Sequence, residues 1–258
     1  MFTTSQTTSQ HIGSRTHQCD TTAHHHNPAT GHRAWVLLDG IGDHDHTAAW
    51  IDTAAPALAQ LAARLGDPGA AIRQIRPRLH AERPALDHPE DWLADAAAVV
   101  AVLTPTGRLA IAWAGDCRAY YAENGRSRLL TCDHNEATRQ RREGRAPEPD
   151  AHDRLTSSLC FSTGVIDTVT VDFGPRRRTR RLLLASDGAY LPHEEAGTLP
   201  PPHPNGSSRP GLSALTPLLT GPLGTTAQRI TDLAVHAGPT RADNATAMLI
   251  DIHPNHAV

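Results

Sequence analysis

The chain has 258 residues, 39% of them hydrophobic, and a formal net charge of −3 at pH 7. It can bury one substantial core, and its charge argues against a general nucleic-acid-binding protein. All 24 basic residues are arginine, so mechanisms that need a lysine, such as a P-loop or a Schiff base, are excluded.

The start of the chain is polar and lacks both the basic residues and the apolar core of a signal peptide. We expect a flexible tail over residues 1–12, one domain over residues 13–253 and a short tail at 254–258. No apolar run is long enough to span a membrane. The four cysteines lack C-x-x-C spacing, which indicates reduced thiols and a cytoplasmic protein.

Three aspartates lie at the ends of strand-like apolar runs. The run at 35–38 is typical of a buried strand, and it ends at Asp39. A lone Asp-Gly pair is a common turn, but a second run ends in the same way at Asp187. Asp243 stands just before a third apolar run. The pattern predicts one cluster suited to a hard cation, which binds carboxylate and backbone carbonyl oxygens.

Helices are predicted in three places. Alanine-rich residues 47–65 carry an apolar stripe at helical spacing, although Pro56 interrupts the segment. A second helical segment covers residues 70–80. A third begins near Thr225, which has the form of a capping box, and runs to about residue 236.

The middle of the chain reads as strands. Apolar runs at 99–103 and 109–113 flank a turn sequence, and runs at 118–122 and 128–131 flank Asn124-Gly125, a strong hairpin signal. We therefore predict a β-meander rather than alternating βαβ units. Sheets of this kind, covered by helix pairs, form a layered sandwich.

Three polar segments have open interpretations. The run His24–His26 could bind a transition metal, but its spacing favours a solvated loop. The run Arg176–Arg181 could contact an acidic partner or nucleic acid, although a solvated hairpin loop is favoured. Residues 135–153 are charged and are predicted to form an exposed flap.

Six short motifs follow one another along the chain, and their order indicates a known family. They are R-x-x-Q-x-D at 15–20, L-L-D-G-I-G at 37–42, A-G-D-C-R-A-Y at 114–120, L-T-C-D-H at 130–134, L-A-S-D-G at 184–188 and D-N-A-T at 243–246. Together they resemble the metal-dependent protein serine/threonine phosphatases of type 2C, the PPM family, in its bacterial form. The resemblance covers residues 13–252.

The resemblance implies an α+β fold, a four-layer αββα sandwich in which two antiparallel sheets lie between helix pairs. It also implies two Mn²⁺ or Mg²⁺ ions bridged by Asp39, with a third, weaker ion shared by Asp116 and Asp187. Arg15 is implied to bind the phosphate, and the catalytic set is Arg15, Asp39, Asp187 and Asp243. The implied metal ligands are Asp20, Asp39, Gly40, Asp116, Asp187 and Asp243.

The implied activity is hydrolysis of phosphoserine or phosphothreonine by a metal-activated water. The expected substrates are targets of a bacterial Ser/Thr kinase, and the expected state is a monomer. Ile41 stands where eukaryotic members carry a histidine proposed as general acid, so the proton donor is left open among His44, His46 and water. The alternative is an inactive relative that binds proteins through the same fold.

Overall fold

A computed structural model of the protein describes residues 2–83, 93–173, 178–197, 218–237 and 242–254. These residues contain ten strands and five helices. In chain order they are β1 (Phe2–His11), β2 (Asp20–His26), β3 (Arg33–Gly40), α1 (Asp45–Leu65), α2 (Pro68–Glu82), β4 (Ala96–Leu103), β5 (Arg108–Ala114), β6 (Arg118–Glu123), β7 (Arg126–Leu129), α3 (Glu136–Arg142), β8 (Asp167–Asp172), β9 (Arg180–Ala185), α4 (Asp187–Glu195), α5 (Leu223–Ala237) and β10 (Ala245–Pro254).

Two antiparallel five-stranded sheets pack face to face. One sheet has the strand order β1-β10-β9-β6-β7, and the other has the order β2-β3-β4-β5-β8. Helices α1 and α2 cover the outer face of the second sheet, and α4 and α5 cover the outer face of the first. These four layers confirm the predicted αββα sandwich.

Strand β3 shows why its sequence has no polar alternation. Every second residue from Ala34 to Leu38 packs against α1 and α2, whereas Trp35 and Leu37 pack against the facing sheet. Both faces of the strand are therefore buried, and side chains alternate between them. Asp39 is the next residue on the inner face, so the strand delivers a carboxylate to the end of the space between the sheets.

The prediction of a continuous meander is wrong at one point. The hairpins β4-β5 and β6-β7 form as predicted, but β5 pairs next with β8, and β6 pairs with β9 in the other sheet. The chain crosses between the sheets at residues 115–117. Gly115 has φ +110° there, and a Cβ on it would lie 2.5 Å from the Cβ of Ala97, so the crossing requires glycine.

The prediction of a flexible N-terminal tail is also wrong. Residues Phe2–His11 form β1, which pairs with β10 along its whole length. The strand is an edge strand rich in Thr, Ser and Gln, so hydrophobic patterning gives no sign of it. Phe2 packs against the core between the sheets, and the Gln6 side chain accepts a 2.6 Å hydrogen bond from the buried indole of Trp35. Likewise, β10 extends to Pro254, into the predicted C-terminal tail, whose remaining residues lie outside the described ranges.

The three polar segments differ in part from their predictions. His24–His26 lie in β2, paired with β3, rather than in a loop. In the described part of the arginine run, Arg178 and Thr179 are exposed and lie outside any strand, whereas the loop prediction is wrong for Arg180 and Arg181, which begin β9 and form ion pairs. The first half of the predicted flap forms α3, whose inner side is buried, and most of residues 142–150 is exposed.

The predicted helices form, with shifted ends. The first begins two residues early, at Asp45, and continues through Pro56, whose side is exposed. The second covers Pro68–Glu82, and the third begins at Leu223 rather than Thr225. None of the helices in the described residues is long and apolar enough to span a membrane.

The contact between β1 and the core can be tested by Gln6→Ala. The indole N–H of Trp35, whose side chain is 1% exposed, would lose its acceptor, which costs about 1–3 kcal/mol for a buried donor. We expect a fall of that size in the free energy of unfolding, measured by urea denaturation. The exposed Thr3→Ala change in the same strand is the control. Equal stability of the two variants would contradict a structural role for Gln6.

Candidate functional site

Five aspartates from distant parts of the sequence lie at one end of the space between the sheets. Asp20 begins β2 and lies directly opposite Asp39 in the register of β2 and β3. Asp187 begins α4, and its carboxyl group interacts with that of Asp39. Asp116 follows β5, and Asp243 stands just before β10. The fold thus brings together the aspartates that the sequence singled out.

Burial and mutual repulsion shift the titration of this cluster. Burial raises the pKa of Asp20 to about 8. Burial, reinforced by the charge of Asp243, raises the pKa of Asp187 to about 6, and Asp153 of the flap adds to this shift. The pKa of Asp39 is raised well above its usual range by burial and then by the charges of Asp20 and Asp187. Such a cluster needs positive charge before all its members can ionise.

The Asp116 carboxyl group belongs to the same electrostatic unit. Burial raises its pKa well above the usual range, and the charges of Asp187 and Asp133 add to that shift. Its backbone carbonyl accepts a 3.0 Å hydrogen bond from the hydroxyl of Tyr190 on α4. Asp116 is therefore tied to the helix that begins with Asp187.

A buried ion cluster centred on Arg118 supports the position of Asp116. Arg118 is 1% exposed and donates two hydrogen bonds, 2.8 and 2.7 Å long, to the carboxylate of Asp133. It also pairs with Glu194 and stacks over the ring of Tyr190 at 3.7 Å. The contact explains why A-G-D-C-R and L-T-C-D-H occur together, since Arg118 belongs to the first motif and Asp133 to the second. No role for Arg118 or Asp133 was predicted from the sequence.

Ser186 organises the Asp20 side of the cluster. Its hydroxyl donates a 2.8 Å hydrogen bond to Oδ2 of Asp20 and accepts one of 3.0 Å from the backbone N–H of Thr246. The other carboxylate oxygen of Asp20, Oδ1, is buried and has no hydrogen-bond partner among the described residues. An orphaned buried oxygen of this kind is a free ligand position.

Asn244 fastens the loop between β1 and β2 to the site. Its side-chain oxygen accepts a 2.6 Å hydrogen bond from the N–H of Cys19, and its amide donates to the carbonyls of Ile12 and His17. The residue is 4% exposed. The motif D-N-A-T contains Asn244, but only a three-dimensional structure shows that it holds a loop more than 200 residues away.

The same loop carries Arg15 to the cluster. Gly13 has φ +65° and lies so close to the backbone of Ala242 and Asp243 that a Cβ would sit 2.3 Å from a carbonyl oxygen. The Arg15 guanidinium then pairs with the carboxylate of Asp243 and is partly exposed. Burial alone would lower the pKa of Arg15, but Asp243 and the charge of Asp43 raise it. Arg15 thus borders the cluster with a permanent positive charge.

Close backbone packing fixes the remaining positions. A Cβ on Gly188 would lie 2.2 Å from the carbonyl oxygen of Asn244, so α4 and β10 can approach only at a glycine. Gly40, an implied metal ligand, is buried beside Asp39, and its N–H donates a 2.6 Å hydrogen bond to the carbonyl of Cys19.

The donor set fits hard divalent cations. Its side-chain donors are all oxygens, which Mg²⁺ and Mn²⁺ prefer, and the orphaned Asp20 oxygen and the repelling carboxylates lack compensating positive charge. Across the described ranges, no three His, Cys, Asp or Glu side chains stand in the arrangement of a formed metal site. Asp243 faces Arg15 and Asp20 faces Ser186, so these side chains must turn to bind a metal. The histidines of β2 form no such group either.

The residues left open as proton donors lie at the start of α1. His44 occupies the N-cap position of this helix. His46 lies in its first turn, is 52% exposed and stands 3.9 Å from the carboxylate of Asp45. Ile41 is 38% exposed, and its N–H donates to the carbonyl of Asp95.

Comparisons with known proteins agree with this geometry. Residues 39–143 match the family model for protein phosphatase 2C, whereas no curated protein matches the chain. A serine/threonine phosphatase of S. agalactiae has a TM-score of 0.75 at 18% identity, covering 96% of this chain and 99% of its own. Stp1 of Staphylococcus aureus has a TM-score of 0.71 at 18% identity, covering 97% and 95%. The catalytic domain of PstP, solved with two manganese ions, has a TM-score of 0.66 at 19% identity, covering 98% and 100%.

The architecture, two antiparallel sheets between helix pairs, is the fold of these solved serine/threonine phosphatases. The family model for protein phosphatase 2C matches the segment that begins at Asp39 and includes Asp116.

The raised pKa values of the cluster predict how the metal-free protein responds to pH. Unfolded aspartates release their protons near pH 3.9, whereas folded Asp187 and Asp20 retain theirs to about pH 6 and 8. The folded state therefore binds more protons over this range, and stability falls as pH rises. In the presence of a chelator, we expect the melting temperature of the native protein to fall between pH 5 and pH 8. The melting temperature of Asp20→Asn should fall less over the same range. Equal pH slopes would contradict the burial of an ionisable Asp20.

Proposed function

We propose that this protein is a metal-dependent serine/threonine phosphatase that hydrolyses phosphoserine and phosphothreonine in proteins. The observation that carries this proposal is the convergence of five aspartates, of which Asp20 and Asp116 are buried and the other three half-buried, with Arg15 at their edge. Buried like charges without cations are costly, so a protein-binding scaffold would gain nothing from them. This argues against the alternative of an inactive relative.

The resemblance implies a role for each residue, and the positions of the residues are compatible with these roles. Asp39 occupies the centre of the cluster and would contact two ions, supported by the Gly40 carbonyl. Asp187 and Asp243 would complete one ion, Asp20 would act on the other mainly through water, and Asp116 would share a weaker third ion with Asp187.

When bound, two Mg²⁺ or Mn²⁺ ions acidify water and neutralise charge on phosphoryl oxygens. Arg15 is placed to turn from Asp243 to the phosphate, since its side chain is 37% exposed and a guanidinium binds phosphate in a bidentate manner. The expectations of a bacterial Ser/Thr kinase that makes the substrates, a monomeric state and a cytoplasmic location are part of this proposal.

The test is hydrolysis of a phosphothreonine peptide with Mn²⁺, with Mg²⁺ and after chelation. We expect turnover only with metal, and we expect Asp39→Asn to abolish it and to weaken Mn²⁺ binding in calorimetry, because it removes charge from the centre of the cluster. Asp45→Asn, an exposed carboxylate at the start of α1, is the matched control. Activity that survives chelation, or near-native activity of Asp39→Asn, would refute the proposal.

Arg15→Ala should separate phosphate binding from metal binding. Loss of a charge-assisted contact costs about 1.5–3 kcal/mol, so kcat/KM should fall by roughly 10- to 10²-fold. The Mn²⁺ affinity should not weaken, because the Asp243 carboxylate loses a competing partner. The exposed Arg78→Ala, whose partner Glu82 is one turn away, should change neither quantity. Loss of metal from Arg15→Ala would instead make Arg15 a structural residue.

A further inference from the structure

His17 forms a hydrogen-bonded pair with Asp43 at the edge of the carboxylate cluster. Its Nδ1 lies 3.1 Å from a carboxylate oxygen of Asp43. The same carboxylate accepts hydrogen bonds from the backbone N–H groups of Thr16 and His17, 2.8 and 2.7 Å long. The pair therefore joins the Arg15 loop to the β3–α1 loop that follows Asp39. Sequence patterns alone predicted no role for His17 or Asp43.

Contacts to Asn244 and Asp243, as well as the bonds to Asp43, hold the His17 loop in position. The His17 carbonyl accepts a hydrogen bond from the side chain of Asn244, next to Asp243, and Arg15 two residues earlier reaches Asp243 itself. The imidazole is 37% exposed. With Nδ1 donating to Asp43, the other ring nitrogen, Nε2, is left to face a ligand at the edge of the site.

The carboxylate of Asp43 orients the His17 ring. The charged groups placed near this ring are Asp43 of the facing loop and Arg15 of its own loop, and Arg15 is itself paired with Asp243. A carboxylate on Nδ1 fixes the tautomer and orientation of an imidazole. His44 and His46 instead lie at the N-terminus of α1, where the helix dipole disfavours a cation.

We propose that His17, oriented by Asp43, is the general acid for the leaving alcohol. The inference rests on the proposed phosphatase function and replaces the histidine that is absent at Ile41. A water oxygen forms a bond to phosphorus and that water loses one proton to solvent, while the bond between phosphorus and the serine or threonine oxygen breaks with its electron pair on that oxygen. Nε2 of His17 gives its proton to that oxygen, and solvent later restores it.

The test compares two leaving groups in the His17→Gln variant. A phosphothreonine peptide releases an alkoxide that needs a proton, whereas p-nitrophenyl phosphate releases a phenolate that is stable without one. We expect kcat on the phosphopeptide to fall about 10²-fold, with the alkaline limb of its pH profile lost. The kcat on the aryl phosphate should change little, and KM and Mn²⁺ affinity should stay the same. Asp43→Asn should give a smaller loss with the same substrate selectivity.

His80→Gln, an equally conservative change at an exposed histidine of α2, should leave both rates unchanged. Equal losses on the two substrates, or no loss on either, would refute a proton-donor role for His17 while leaving the phosphatase proposal intact. Hydrolysis of neither substrate by the native protein with Mn²⁺ or Mg²⁺ would refute both. Melting curves of each variant show whether it is folded.

Discussion

The burial of like charges at one end of the sheet interface is the constraint around which the structure is arranged. Asp39 and Asp20 face each other across β2 and β3, and burial raises the pKa of both above the usual range. A protein tolerates such repulsion only if the positions are held firmly and a cation can offset the charge. The close glycine contacts, the Asn244 side chain and the Arg118 ion cluster provide the firm positions.

The groups that support the acidic cluster lie at two distances from it. Asn244 and Ser186 contact the loop and the carboxylate directly, whereas Arg118 acts one layer behind, through Asp133, Glu194 and the ring of Tyr190. Arg118 donates two hydrogen bonds to the carboxylate of Asp133, and both residues are buried. Removal of one partner would leave the other ionised in an apolar setting. A single substitution in this network is therefore destabilising.

Much of the fold and the cluster could be predicted from the sequence because both depend on strong local signals. The apolar run before Asp39 marks a strand buried on both faces, and the motif order supplied the remaining aspartates. Strand β1 escaped prediction because its polar residues pack through hydrogen bonds at a sheet edge. Asn244 and Arg118 escaped prediction because the sequence does not distinguish a buried polar residue from an exposed one. His17 escaped because its partner Asp43 is distant in the sequence.

The pairing of β1 with β10 has a consequence for the order in which the protein matures. Phe2 lies opposite Pro254, so one sheet closes only when residues separated by almost the whole chain meet. Contacts of such long sequence separation form slowly, because a large loop must close first. The same pairing of β1 with β10 also brings Asp20 and Asp243 together. A partly synthesised chain therefore cannot assemble the acidic cluster, which keeps a nascent chain on the ribosome free of this chemistry.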